Sequence, residues 1–254
     1  MDCFVASLLA MTVVSGADFA HNIDMTLKLY ELVGTDASRP FSPFCWRTRM
    51  ALAHKGLSAE TIPWCFTEKG AIAPHGSEKV PVLLDGDHAV VDSWTIANYL
   101  EDTYPDRPSL FGGEGGRAMA RMLNWWGDGV IGGMFPLIIA DIPLNLKPED
   151  AAYFRKSREA RFGKPLEEVV AGRDKSVEGF RRALEPMRLT LKTQLYLGGE
   201  KPNYADYIVF GAFQWARVVS PFKLLTEGDP VHAWRETLLD AFDGMARKSP
   251  GHQV

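Results

Sequence analysis

The stretch Ser42-Pro43-Phe44-Cys45-Trp46-Arg47-Thr48-Arg49-Met50-Ala51-Leu52-Ala53-His54-Lys55-Gly56-Leu57 decides the fold, because it reads as a loop running into a helix with a marked stop. Cys45, Arg49, Leu52 and their aliphatic neighbours fall at helical spacing over Phe44–Lys55, and Gly56 stands where a helix should end. Upstream, Leu27 and Leu29 alternate with polar residues in Thr26–Glu31, which predicts a strand. A turn-rich loop from Gly34 to Pro43 joins that strand to the helix. Downstream, Ala59–Phe66 predicts a second strand and completes a strand–helix–strand unit. Val80–Leu84 and His88–Val91, joined by Asp85-Gly86-Asp87, predict a hairpin, and Asp92-Ser93 opens a helix that runs to about Tyr104. The order βαβ then ββα is that of a small α/β sandwich.

Beyond Tyr104 the character changes. Residues 104–116 (YPDRPSLFGGEGG) carry two prolines and four glycines and read as a linker. Helical patterns follow with hardly any strand signal: 117–126, 149–162, 166–193, 204–219 and 232–247. The predicted organisation is an extension outside the core at 1–24, an α/β domain at 25–104, and a linker at 105–113. An all-helical domain follows at 114–247, and a tail at 248–254. The apolar run Phe4–Val14 has no basic residue before it and is too short to span a bilayer, so it reads as a non-native upstream start before Met25.

Of the 254 residues, 46% are hydrophobic and 24% are charged, an ordinary globular balance. The formal net charge of −4 argues against a nucleic-acid coat or a polybasic membrane binder, since both need excess positive charge. Cys3, Cys45 and Cys65 make no disulfide framework and fit a reducing compartment. The six histidines have no metal-site spacing, so no metal is expected.

Four constellations could carry chemistry. Ser42 stands at a loop–helix junction, where free N–H groups and the positive end of the helix dipole stabilise an anion such as a thiolate. An N-capping role fits Ser42 equally well. Cys45, three residues on, points into the core as a buried and inert thiol. At Val80-Pro81 the proline has no N–H, which leaves Val80's backbone groups free to pair with an extended peptide ligand; a plain edge-strand proline explains it too. Asp92 suits a ligand ammonium and Ser93 a ligand carboxylate, although capping alone accounts for the pair. Asn203-Tyr204-Ala205-Asp206 reads as a capping box, which assigns Asp206 to folding.

Taken together, SPFCWRTRMALAHKGL (42–57), EKVPVLLDG (78–86), VVDSWTIANYLEDTYPD (90–106) and PNYADYIVFGAFQW (202–215) resemble the glutathione transferase superfamily over about Thr26 to Arg247. The loop also resembles the C-P-[FY]-C motif of glutaredoxins with its first cysteine replaced by Ser42. The serine-type loop and SREARFGKPLEEVVAGR (157–173) look most like bacterial lignin β-etherases and the related fungal etherase-like (FuA-type) transferases. The resemblance implies a thioredoxin-like domain followed by an all-α domain, glutathione as co-substrate, no metal, a homodimer and a cytoplasmic location. Ser42 then corresponds to the residue whose hydroxyl donates to the glutathione thiolate. Val80, before a cis-Pro81, corresponds to the backbone clamp on the cysteinyl unit, and Asp92 and Ser93 to the γ-glutamyl contacts. Lys79 sits where some classes hold the glycine carboxylate.

The small hydrophobic or aromatic electrophile is expected between Phe44 and the first helix of the second domain. Met119, Met122 and Trp126, with Leu123 and Trp125, offer a polarizable apolar wall there, and Phe135–Ile139 could close it. Three functions compete. The first is conjugation or β-aryl ether cleavage by thiolate attack. The second is a zeta-type glutathione-dependent cis–trans isomerase, for which Arg39, Arg47 or Arg121 would supply the cation. The third is a non-catalytic ligand-binding protein that kept the fold.

Overall fold

The computed structural model describes residues 27–254; the expectation for 1–24 and the first residue of the predicted first strand lie outside them. Four strands form one sheet in the order β2-β1-β3-β4: β1 (Leu27–Leu32), β2 (Ala59–Trp64), β3 (Val82–Asp85) and β4 (His88–Val91). β1 pairs parallel to β2, with Leu29 opposite Thr61, and antiparallel to β3, with Leu29 opposite Leu83. Parallel pairing requires a crossover, and α1 (Pro43–His54) supplies it. Pro63 is tolerated in β2 because that strand is an edge. α2 (Ser93–Thr103) follows the β3–β4 hairpin and packs beside α1. The βαβ-ββα order read from the sequence is thus the order observed.

The remainder is helical: α3 (Glu114–Ile138), α4 (Pro148–Phe162), α5 (Leu166–Val170), α6 (Arg173–Ala183), α7 (Glu185–Leu191), α8 (Tyr204–Val219) and α9 (Pro230–Lys248). Every residue of α8 is buried, and α1 and α3 both pack against it. Close approach is possible because α8 carries Gly211, where a Cβ would lie 2.3 Å from the Pro43 carbonyl oxygen. Gly127 does the same for α3, since a Cβ there would lie 2.5 Å from Ile208 Cγ2. The stretch Glu114–Asn145 is long and apolar enough to cross a membrane by length and composition alone, with mean hydropathy 1.4. Its Val130, Ile131, Met134 and Leu137 are buried in the core, as expected of a helix facing α8.

Three predicted helices differ from the structure. The segment 166–193 is three helices rather than one: Gly172 precedes α6, and Pro186, which lacks an N–H, stands in the first turn of α7. The helix predicted over 117–126 runs on to Ile138, through glycines at 127, 129, 132 and 133 and through Pro136. α9 is interrupted at Ala241–Gly244, where Phe242, Asp243 and Gly244 have positive φ.

Buried polar groups tie the layers. Arg47, fully buried on α1, donates to the Ile208 carbonyl (3.1 Å), to Asn124 Oδ1 (3.2 Å) and to Asp128 Oδ1 (2.8 Å). It therefore fastens α1 to α8 and α3, and it is no cation for a second substrate. Lys55 is buried against Glu101, with Nζ 2.6 Å from the carboxylate. His54 pairs with the Tyr207 hydroxyl (2.7 Å) and the Ser109 carbonyl (3.0 Å). A neutral ring satisfies both, with Nε2–H donating to the carbonyl and Nδ1 accepting from the phenol.

Burial holds His54 below the ordinary histidine value, and nearby Lys55 acts the same way, although the Ser109 carbonyl opposes them. With the folded pKa depressed, the unfolded chain takes up the proton first, so stability is full at neutral pH and declines as pH falls below about 6.5. The urea midpoint is expected to drop across that window, and His54→Gln to make the drop shallower. His252, held down chiefly by burial, supplies part of the remaining slope.

Candidate active site

A cleft of about 260 Å³ opens where the loop before α1, the turn before β3, α3, α4 and α8 meet. Ser42, Phe44, Lys79 and Val80 line one side; Ile131, Phe135, Phe154, Arg158 and Trp215 line the other. The sheet domain and the helical domain therefore each supply one side of the cleft.

Ser42 is the N-cap of α1, and its Oγ accepts from the Cys45 N–H at 3.3 Å. Capping and lining the cleft are compatible roles. The cap occupies a lone pair of the hydroxyl and leaves the O–H proton available for a donor bond into the cleft. Pro43 has no N–H, the Cys45 N–H is capped, and the Trp46 N–H bonds to the Ser42 carbonyl at 3.1 Å. Among the described residues, the Phe44 N–H is the first-turn amide left without a protein partner. Hydroxyl and amide stand at the positive end of a 12-residue helix, which favours an anion.

Cys45 is fully buried, and burial first, with the Glu31 carboxylate adding to it, pushes its thiol up to about 12. A neutral, enclosed thiol is no nucleophile. Cys45→Ala is expected to keep turnover within about three-fold of the native rate, and alkylation of the native protein, with the reagent removed before glutathione is added, is expected to leave the rate unaffected.

The Val80-Pro81 peptide bond is cis, and β3 begins only at Val82, so Val80's backbone groups stand outside the sheet ladder. Asp92 adopts φ 76°, its N–H donates to the Pro81 carbonyl at 3.3 Å, and its carboxylate accepts from the Trp94 and Thr95 amides. Ser93 is buried, and its carbonyl accepts from the Tyr204 hydroxyl at 2.7 Å. The start of α2 is thus held beside the Val80 turn from one side and by α8 from the other. Asp92 and Ser93 neighbour the cleft without lining it.

The expected electrophile wall needs correction. Met119 and Met122 are each 57% exposed and lie away from the cleft. Trp126 lines a different hollow, between α3 and α6. Trp126 precedes Ile131 by five residues, about 140° around the helix, so it faces another side. Phe44 and Phe135 do line the cleft as expected. Arg121 lies over the rings of Trp94 and Trp125, and Arg39 is bonded to the Val218 carbonyl; neither lines the cleft. Sequence reading missed Phe66, Phe154, Arg158 and Trp215. Among the described residues no three His, Cys, Asp or Glu side chains converge as a metal site would need.

A family model for the glutathione S-transferase N-terminal domain matches residues 37–108, and one for the glutathione S-transferase C-terminal domain matches 118–237. The chain belongs to the glutathione S-transferase family. The glutathione S-transferase-like protein ustS of Aspergillus flavus is 32% identical over 149 residues, half of this chain and half of that protein. Glutathione transferase GSTFuA3 of Phanerochaete chrysosporium has a similar structure, with TM-score 0.76 and 25% identity over 86% of this chain and 96% of its own. CsGST63524 of Ceriporiopsis subvermispora, solved in complex with glutathione, superposes with TM-score 0.77 over 86% of this chain and 98% of its own; at 23% identity that likeness speaks to the fold. The thioredoxin-like sheet domain and the helical domain of this chain are those of its family.

Proposed function

We propose that this family member is a serine-type glutathione transferase. In this reading, residues 25–104 bind glutathione, 114–247 supply the wall for a hydrophobic or aromatic electrophile, 105–113 link them, and two copies form a homodimer. The observation that carries it is Ser42, the N-cap of α1, lining the cleft with its Oγ accepting from the Cys45 N–H.

Glutathione lies along Val80, whose unpaired N–H and carbonyl take the cysteinyl backbone. Asp92 and Ser93 receive the γ-glutamyl end, and Lys79 the glycine carboxylate. The bound sulfur then meets the Ser42 O–H and the Phe44 N–H. A free thiol ionises near ~8.5, and lowering that by roughly two units stabilises thiolate over thiol by about 2.7 kcal/mol. One hydroxyl bond to an anion contributes about 1.5–3 kcal/mol and a helix N-terminus about 0.3–1 kcal/mol, which together are enough. Ser42 removes no proton; it keeps a donor aimed at sulfur.

The thiolate forms a carbon–sulfur bond as a leaving group departs with its electron pair. The etherase-like resemblance makes phenolate the sharpest version of that leaving group. A panel of an aryl halide, a β-aryl ether and a cis-diene acid, each with glutathione, tests the reading. Turnover of the halide or the ether supports transfer. Isomerisation of the acid alone replaces transfer with the isomerase, and inertness toward all three leaves a binding protein.

A further inference from the structure

Four charged side chains line the cleft: Lys69, Glu78, Lys79 and Arg158. Lys69 and Glu78 face each other at 3.6 Å. Among the described residues Lys79 and Arg158 make no ion pair, which leaves two uncompensated cations on one wall system. They come from opposite sides, Lys79 from the turn before β3 and Arg158 from α4.

Arg158 is held in place. Its guanidinium lies 4.7 Å from the centre of the Phe154 ring and 5.9 Å from that of Phe66, and those two rings are themselves 5.7 Å apart. One of its five N–H donors goes to Ser157 Oγ. Helix α4 is anchored at its start by Asp150, whose buried carboxylate accepts from the Thr67 N–H at 2.8 Å, so the helix carrying Arg158 is fixed to the segment after β2. Burial, with some repulsion from Arg161, depresses the Arg158 pKa. A stacked, partly desolvated guanidinium without a carboxylate partner is suited to bidentate recognition of a planar anion.

We infer that Arg158 binds a carboxylate carried by the electrophile, so that the preferred second substrate is an aromatic acid rather than a neutral arene. This rests on the transferase reading, in which the two carboxylates of glutathione are already received at Asp92–Ser93 and at Lys79. The ring of such an acid stacks among Phe66, Phe154 and Trp215 while its carboxylate meets the guanidinium, and the reacting carbon is left toward Ser42.

The test compares chlorodinitrobenzene with chlorodinitrobenzoate in the native protein, Arg158→Met and Arg158→Lys. In both reactions the glutathione sulfur bonds to the ring carbon and chloride leaves with its electron pair. The ratio of kcat/KM for the acid over the neutral halide is expected to fall about ten-fold or more in Arg158→Met and to recover in part in Arg158→Lys. A ratio that stays level while both rates drop overturns the inference. So does a level ratio with a raised KM for glutathione, which would give Arg158 to the tripeptide instead. If the native protein turns over neither halide, the transferase reading rests on the β-aryl ether alone, and calorimetric binding of dinitrobenzoate then decides the subsite. Affinity lost about ten-fold in Arg158→Met supports the subsite, and equal affinity overturns it.

Discussion

Ser42→Ala lowers kcat/KM with an aryl halide by about ten-fold or more at neutral pH, equivalent to at least ~1.4 kcal/mol of transition-state stabilisation. The change removes the hydroxyl donor and leaves the amides of the α1 N-terminus. The loss is therefore expected to shrink as pH rises toward the free thiol's own range, where ionisation needs no help. Ser42 also caps α1, so the variant costs stability as well, about 1 kcal/mol. Rates are compared well below the unfolding transition, which separates the two effects. A rate equal to the native one at neutral pH moves thiolate stabilisation onto the backbone.

The largest effect on stability is expected at Asp206. Its carboxylate, fully buried at the start of α8, accepts from four donors: the N–H groups of Leu197 (2.7 Å), Gly198 (2.9 Å) and Asn203 (3.1 Å), and the indole of Trp234 (2.8 Å). Asn203 in turn caps α8 through the Ala205 N–H, which completes the capping arrangement read from the sequence. Asp206→Ala strips a partner from every one of those donors at once. Each buried donor left unsatisfied costs about 1–3 kcal/mol, so a loss of at least ~3 kcal/mol is expected in urea denaturation. Asp206 does not line the cleft, so the folded fraction should keep its native kcat. A shift of the urea midpoint within error would contradict the assignment.

Both residues were legible because local patterns specify them. A serine before proline and a helical run, or an asparagine with an acid three residues on, fixes backbone hydrogen bonding within a turn. The α2 start was legible for the same reason, and the cis-Pro81 turn through the family resemblance. The break-up of 166–193 was not, since apolar spacing continues across it and only Gly172 and Pro186 marked the junctions. The far wall of the cleft was the hardest to read. Phe66, Phe154 and Trp215 line one cleft only because α4, α8 and the segment after β2 all border it, and no local period encodes that. Met119, Met122 and Trp126 were chosen by residue type, but helix phase decided the outcome and turned Ile131 and Phe135 inward. Arg158 had a faint signal as an arginine beside aromatic positions on a helix, which on its own also describes a solvated face.

The account stands on a glutathione sulfur held negative at the head of α1. Ultraviolet absorbance of the thiolate, followed against pH for glutathione bound to the native protein and to Ser42→Ala, measures that charge directly. The account predicts a bound thiol ionising roughly two units below the free value of ~8.5, with most of that shift lost in the alanine variant. A bound thiol that ionises at the free value in the native protein, or identically in both proteins, would contradict it.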